Sequence, residues 1–166
     1  MDAELYKIFL SSQAKLYRFA FSLVKNVNDA EDIHQETLMK IWQLREEWIK
    51  WINFEAYAMR IVRNACLNFN KKKRNHLYLV LDEVIEKPSQ NDTETNIVLD
   101  DLKYRFNVLI GKLPEIQQNI LYLREIEELE YKEIAEILDI SESQVKVYLF
   151  RGRQFLKSKY QKNETR

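Results

Sequence analysis

Between residues 60 and 74 the chain carries Arg60, Arg63, Lys71, Lys72, Lys73 and Arg74 and no acidic side chain. A second basic run closes the sequence, where residues 143–166 hold seven Lys and Arg against Glu164 alone. Concentrated positive charge of this kind draws polyanions. The segments between them are acidic. Residues 76–112 hold four basic and seven acidic groups, and residues 113–142 hold two basic and nine acidic groups. The 26 Lys+Arg and 26 Asp+Glu therefore cancel over the whole chain while the local pattern is strongly polarised. Two basic segments interrupted by acid describe two binding surfaces or, from charge alone, ordinary solvated helix faces.

The second basic segment belongs to a recognisable pattern. Ile134, Ala135, Leu138, Ile140, Val145 and Leu149 have the apolar spacing of two short helices packed across a tight turn. Ala135 supplies a small side chain where such helices cross, and Ser141 is a natural cap for the second one. The outward face of that helix presents Ser143, Gln144, Lys146, Val147 and Arg151, a set suited to the major groove. The pattern is that of a helix-turn-helix, and any αα-hairpin in a bundle has the same apolar spacing.

Catalytic chemistry is poorly supplied. Gly111-Lys112 cannot be a phosphate-binding loop, because Phe106 stands five residues before Gly111 and Leu113 follows Lys112. His34 is expected as a solvated residue on the polar side of its helix, and Cys66 as a small buried hydrophobe. One cysteine excludes an internal disulfide, and with only His34 and His76 in support a structural zinc site is not expected. No cofactor motif is present, and the sequence does not argue for an enzyme.

The elements that position these residues are helical. Two Gly and two Pro in 166 residues are too few for a turn-rich β fold, and the composition of 31% charged and 46% hydrophobic residues suits helices. Helical periodicity predicts a first helix over 3–25. A second follows a cap at Asn28 and Asp29 and runs to about Trp48, burying Ala30, Ile33, Leu38, Ile41 and Trp42. A third follows Asn53 and ends in Lys71–Arg74. Residues 75–95, polar around Pro88, read as an inter-domain linker. A fourth helix is predicted over 96–111, ended by Gly111, and a fifth has Pro114 in its first turn. Segments 131–138 and 142–158 complete an all-α chain of two small helical domains, 1–75 and 96–166, joined by a flexible linker at 76–95. No apolar run reaches the roughly 18 residues that a membrane helix needs, and no hydrophobic leader opens the chain, so a soluble cytoplasmic protein without membrane insertion is expected.

Two blocks of sequence resemble one family in its own order. Asp29-Ala-Glu-Asp-Ile-His-Gln-Glu36, with Lys40 and Trp42, resembles region 2.2 of the extracytoplasmic-function sigma factors of the sigma-70 family. Leu16-Tyr-Arg-Phe-Ala20 resembles region 2.1, and Phe54–Tyr57, Arg60-Ile-Val-Arg-Asn64 and Asn68 resemble regions 2.3 and 2.4. Leu113-Pro114, Leu123-Arg-Glu125, Glu133-Ile-Ala135, Leu138, Ile140-Ser141, Val145-Lys146 and Arg151-Gly-Arg153 resemble region 4. Asp139 stands where the turn usually has Gly, Gln144 where Thr is usual, and Val147-Tyr148 where the pair is more polar.

The resemblance implies a sigma factor that binds core RNA polymerase at its clamp and flap, directs it to promoter DNA and helps melt the −10 element. Asp29, Asp32, Gln35 and Glu36 would face a basic part of the clamp. Arg60, Arg63, Asn64, Asn68, Lys71, Lys72, Lys73 and Arg74 would hold the −10 element, the cations on phosphates and the Asn side chains on bases. The Trp51–Tyr57 segment would receive an unstacked base, whose extrusion costs a few kcal/mol. Ser143, Gln144, Lys146, Val147 and Arg151 would read the −35 element, with Arg124 on a phosphate. An anti-sigma factor is a further implied partner. The rival readings are a stand-alone helix-turn-helix regulator with a helical sensor domain, and a helical-bundle enzyme. The acidic block at 29–36 argues against the first, and the lack of a convergent polar pocket in the sequence against the second.

Overall fold

The computed structural model describes residues 3–80 and 108–164, and among them it contains helices and turns but no strand. Helix α1 spans Ala3–Val24 and α2 spans Val27–Gln43. Their joint is short because Lys25 adopts a left-handed conformation, φ 54°, and Asn26 caps α2 by accepting the Asp29 N–H at 3.0 Å. The cap therefore falls at Asn26 rather than at the expected Asn28–Asp29, which leaves Asp29 in the first turn where the helix dipole favours an acid.

Helix α2 stops at Gln43, short of the expected end near Trp48. The chain turns, and Trp48 opens a 3-10 turn, Trp48–Lys50. That turn swings the indole back inside, where it is 1% exposed and its Nε1–H donates to the Ile41 carbonyl at 3.0 Å. Buried aromatic area with a satisfied polar tip outweighs another turn of helix. Trp42, expected inside, is instead 37% exposed at the edge of the same cluster.

Helix α3, Phe54–Val80, starts at Asn53, whose Oδ1 accepts the Ala56 N–H at 3.0 Å. It continues past the expected end at Arg74, so residues 76–80, assigned to the linker from sequence, are helical. Residues 81–95 of that linker lie outside the described residues, as do residues 96–107 of the predicted fourth helix. Residues 108–111 are helical and end at Gly111. The first half packs Leu16, Phe19 and Ala20 of α1, Ala30, Ile33 and Ile41 of α2, and Ala58, Met59, Val62 and Cys66 of α3 into one interior.

The second half consists of α4 (Glu115–Glu125), α5 (Tyr131–Leu138) and α6 (Glu142–Glu164). Ile120, Leu123, Ile134, Ile137, Leu138, Val145 and Leu149 fill its interior. Gly152 lies where α4 and α6 approach closely: a Cβ there would stand 3.0 Å from Leu121 Cδ1, so that side chain would have to shift. Among the described residues no helix is long and apolar enough to cross a membrane.

Candidate nucleic-acid and partner surfaces

Helices α5 and α6 form a helix-turn-helix with both ends locked by side chains. Glu130 and Glu133 make a reciprocal capping box at the start of α5, with Glu133 Oε2 accepting the Glu130 N–H at 2.8 Å. The turn passes through Asp139, left-handed at φ 58° and ψ 48°. Asp tolerates this region better than most residues do, which is how the turn forms without the usual glycine.

At the start of α6, Ser141 Oγ accepts the Gln144 N–H at 3.2 Å, and Gln144 Oε1 accepts the Ser141 N–H at 2.9 Å. Ser143 Oγ lies 2.9 Å from Ser141 Oγ. Of Ser143 and Gln144, both exposed and both expected to face the major groove, Gln144 thus also helps to start the helix, while Ser143 bonds the capping hydroxyl. The sequence carries the signal, a Ser followed three positions on by Gln. Lys146, Val147 and Arg151 stand exposed on one outward face. Arg124 is half-buried: its Nη1–H donates to the Leu129 carbonyl at 2.7 Å, and its guanidinium lies 5.1 Å from the Tyr131 ring centre. Lys146 Nζ covers the same ring at 5.9 Å. Arg124 therefore ties α4 to the start of α5.

On α3 the expected residues divide into two groups. Asn64, Asn68, Lys71, Lys72, Lys73 and Arg74 are exposed. Helical spacing puts Asn64, Asn68, Lys71 and Lys72 along one stripe. Lys73 turns toward the first turn of α2, with Nζ 2.9 Å from Asp29 Oδ2. A residue assigned to DNA and one assigned to polymerase thus meet each other. Arg60 and Arg63, both partly exposed, face the second half. Arg60 Nη2 lies 3.4 Å from Asp139 Oδ1. Arg63 is half-buried, and burial holds its pKa below the ordinary value, partly offset by the charges of Asp139 and Glu115. Its Nε is buried without a hydrogen-bond partner.

The contact between the halves continues on both sides of this pair. Asn53 Nδ2–H donates to Glu133 Oε1 at 2.8 Å. Arg18 of α1 donates to both carboxylate oxygens of Glu127, at 3.2 and 2.9 Å, and Tyr122 Oη–H donates to Glu127 Oε1 at 2.8 Å. The Glu127 side chain is only 2% exposed. Its hydrogen bond holds the Arg18 pKa above the ordinary value, while burial, reinforced by Glu127, raises that of Tyr122. Phe19 stacks on Tyr122 with ring centres 6.0 Å apart. Sequence reasoning assigned Glu127 and Tyr122 no role, and no local pattern marks a pairing 109 residues apart.

The acidic face of α2 is open. Asp32, Gln35 and Glu36 are exposed, and Met39, 62% exposed, continues their stripe one turn on. Asp29 alone of the four is drawn inward, by Lys73. At the start of α3, Trp51 stacks on Tyr57 with ring centres 4.1 Å apart. Ile49 and Ile52 beside them are 77% and 99% exposed.

His34 and Cys66 have structural surroundings. His34 Nε2 lies 3.0 Å from the Gln13 carbonyl and its ring meets Tyr17 edge-on, so it is half-buried rather than solvated as expected. Burial lowers its pKa. Cys66 is fully buried, as expected, and burial pushes its thiol up to about 12.

Comparison with known proteins places these surfaces in a family. Residues 8–76 match the family described as Sigma-70 region 2, and residues 104–156 the one described as Sigma-70, region 4. The chain is 30% identical over 154 residues to the RNA polymerase sigma factor SigV of Bacillus subtilis (strain 168), covering 89% of this chain and 86% of that one. It is 29% identical over 157 residues to the ECF RNA polymerase sigma factor SigM of the same bacterium, covering 95% and 93%. Among solved structures it resembles the sigma factor RpoE in complex with the anti-sigma factor NepR from Bartonella quintana. That TM-score is 0.70 at 24% identity, over 95% of this chain and 96% of that one. CnrH, in complex with the cytosolic domain of CnrY, gives a TM-score of 0.67 at 17% identity, over 93% and 86%. Two family regions in order, with relatives aligned over almost the whole length, make this chain a member of the extracytoplasmic-function sigma factors of the sigma-70 family, which direct RNA polymerase to promoters.

Proposed function

We propose a division of this sigma factor into three working surfaces. The exposed stripe Asp32, Gln35, Glu36 and Met39 docks on a basic part of the polymerase clamp, charge complementarity steering the encounter and the apolar side chain filling its centre. The stripe Asn64, Asn68, Lys71 and Lys72, with Arg60, Arg63 and Arg74, holds the −10 element, cations on phosphates and Asn amides on base edges. The Trp51–Tyr57 stack at the head of α3 offers an aromatic platform to a base leaving the duplex. Lys146, Val147 and Arg151 on α6 read the −35 element, while Ser143 and Gln144 build the helix that carries them. Domains 1–75 and 96–166 thus divide polymerase and −10 binding from −35 binding. The chain is a binding protein whose catalytic partner makes RNA.

An anti-sigma factor is the proposed regulator, supported by the fold shared with the sigma factor RpoE, whose structure holds the anti-sigma factor NepR. A stand-alone regulator is not favoured, because such a protein has no use for a region 2 half.

The observation that carries the docking surface is the outward exposure of Asp32, Gln35, Glu36 and Met39 on one face of α2. Replacing Asp32 and Glu36 by Lys places like charges across that interface, at a cost of several kcal/mol. Pull-down with core polymerase should fall by more than about tenfold, at least 1.4 kcal/mol, with helical content unchanged. Undiminished capture removes this face from the interface.

A further inference from the structure

We propose that Val147, continued by Phe150 one turn along α6, reads thymine in the upstream promoter element through its methyl group. The inference rests on α6 being the helix that meets the −35 element, and it names the base chemistry selected there.

The place of Val147 on the helix carries the argument. Val145 and Leu149 are buried in the interior of the second half. Each is two residues from Val147, so at about 100° per residue Val147 stands on the line opposite the packed face. Ser143, Phe150 and Arg151, three or four residues away, share that outward face and are exposed, as is Lys146 beside it. Val147 is 46% exposed and Phe150 63%. A single exposed apolar side chain is ordinary on any protein. Two of them, adjacent on the outward face of the second helix of a helix-turn-helix, lie where that motif enters the major groove. Both are also poorer helix formers than the Lys, Gln and Arg around them, so neither helps α6 where solvent surrounds it.

The neighbours identify the occupant. Lys146 and Arg151 flank the apolar pair, and residues 143–163 contain no acid. Such a surround favours a polyanion. In the major groove the base edges present hydrogen-bonding groups, and the thymine C5-methyl is the apolar group among them. Valine and phenylalanine side chains offer no hydrogen bond, so they discriminate between bases by contact with that methyl. Three residues of helix rise about 4.5 Å, slightly more than the roughly 3.4 Å between stacked base pairs. Val147 and Phe150 therefore reach neighbouring pairs, and the expected signature is thymine at two adjacent positions.

The test uses the full chain bound to core RNA polymerase. Upstream elements are selected from a randomised pool. Each thymine of the selected element is then replaced in turn by deoxyuridine, which removes the methyl and keeps the pairing. Affinity is measured by competition at one fixed salt concentration. Uracil at each of the two positions should weaken the wild-type complex about fourfold, equivalent to about 0.8 kcal/mol for one buried methyl-sized group. Val147→Ser should lose the difference between thymine and uracil at one of them, and Phe150→Ala at the other, with helical content unchanged. A selected element without thymine, or a wild-type complex indifferent to uracil at every position, overturns the proposal. So does a Val147→Ser complex that keeps the full wild-type sensitivity. Arg151→Ala separates this failure from that of the underlying reading. If it weakens the complex while uracil does nothing, α6 meets the element through polar contacts or DNA shape. If neither Arg151→Ala nor Val147→Ser changes affinity, α6 does not meet the element and both readings fall.

Discussion

Helix α3 carries six cations between residues 60 and 74, and α6 carries Lys146 and Arg151 on an outward face, yet the two helices differ in what covers them. The head of α3 lies under the acidic α5 and its turn, with Arg60 against Asp139 and Arg63 half-buried. The middle of α3, around Asn64 and Asn68, is open, and so is the face of α6 that holds Lys146, Val147 and Arg151. Charge density says which helix attracts polyanions. Tertiary packing says which part of it is available. The two helices also invest their polar residues differently. At the start of α6, Ser141 and Gln144 serve the backbone, whereas at the start of α3 the capping Asn53 serves both the backbone and the opposite half.

The strongest way to break this comparison is to remove the platform of one helix. Leu149, 2% exposed, fills the interior beneath α6. Leu149→Ala should cost about 2–5 kcal/mol in urea unfolding, the range for a buried leucine truncation. Transcription that depends on the −35 element should collapse, while non-specific strand binding through α3 persists. If both activities vanish together, the two helices do not work as separable surfaces.

A smaller effect sharpens what α6 reads. Lys146→Ala and Arg151→Ala should each weaken promoter binding. A lost base contact costs about 1–3 kcal/mol and relaxes specificity at one position; a lost phosphate contact weakens all sequences and flattens the salt dependence. Binding of a promoter set at two salt concentrations sorts each residue into one class. If neither substitution changes binding, this face of α6 does not meet DNA.

Gln144 tests the opposite assignment. Its Oε1 accepts the Ser141 N–H, so Gln144→Ala should lower stability by about 1 kcal/mol in thermal melts. Promoter preference, measured well below the melting point, should stay as it was. A changed preference with unchanged melting would return Gln144 to the DNA-reading set.

The smallest effect belongs to the first half alone. Burial holds the His34 pKa below its ordinary 6.5, so the folded state binds fewer protons than the unfolded chain. Its contribution is complete above pH 6.5 and is lost as the pH falls through the lowered folded value. Urea midpoints of wild type and His34→Gln, measured between about pH 5 and 7.5, should converge as the pH drops. Parallel curves would show that this histidine titrates no differently in the folded state.

Helical periodicity, the Ser141 cap, the buried Cys66 and the helix-turn-helix were legible in the sequence because each depends on residues within about one or two turns of each other. The same locality explains the misses. Trp48 left α2 and packs against Phe9 of α1 and Phe54 of α3, rings that are distant in the sequence or on another element. His34 lost its solvent to Gln13 and Tyr17 on α1. Arg124, expected on a phosphate, also donates to the Leu129 carbonyl and lies over the Tyr131 ring, contacts the local pattern does not reveal.

The sequence by itself determined which segments are helical, which carry charge, and to which family their order belongs, since composition, spacing and capping act over short distances along the chain. Only the tertiary structure decided which of those charges face solvent. Arg18 meets Glu127 across 109 residues, Asn53 meets Glu133 across 80, and Lys73 meets Asp29 across 44. The chain holds as many acids as bases, so each cation has many candidate partners in the sequence. Packing of the apolar faces selects one partner among them, because burying those faces fixes where the helices lie before weak, screened ion pairs can choose.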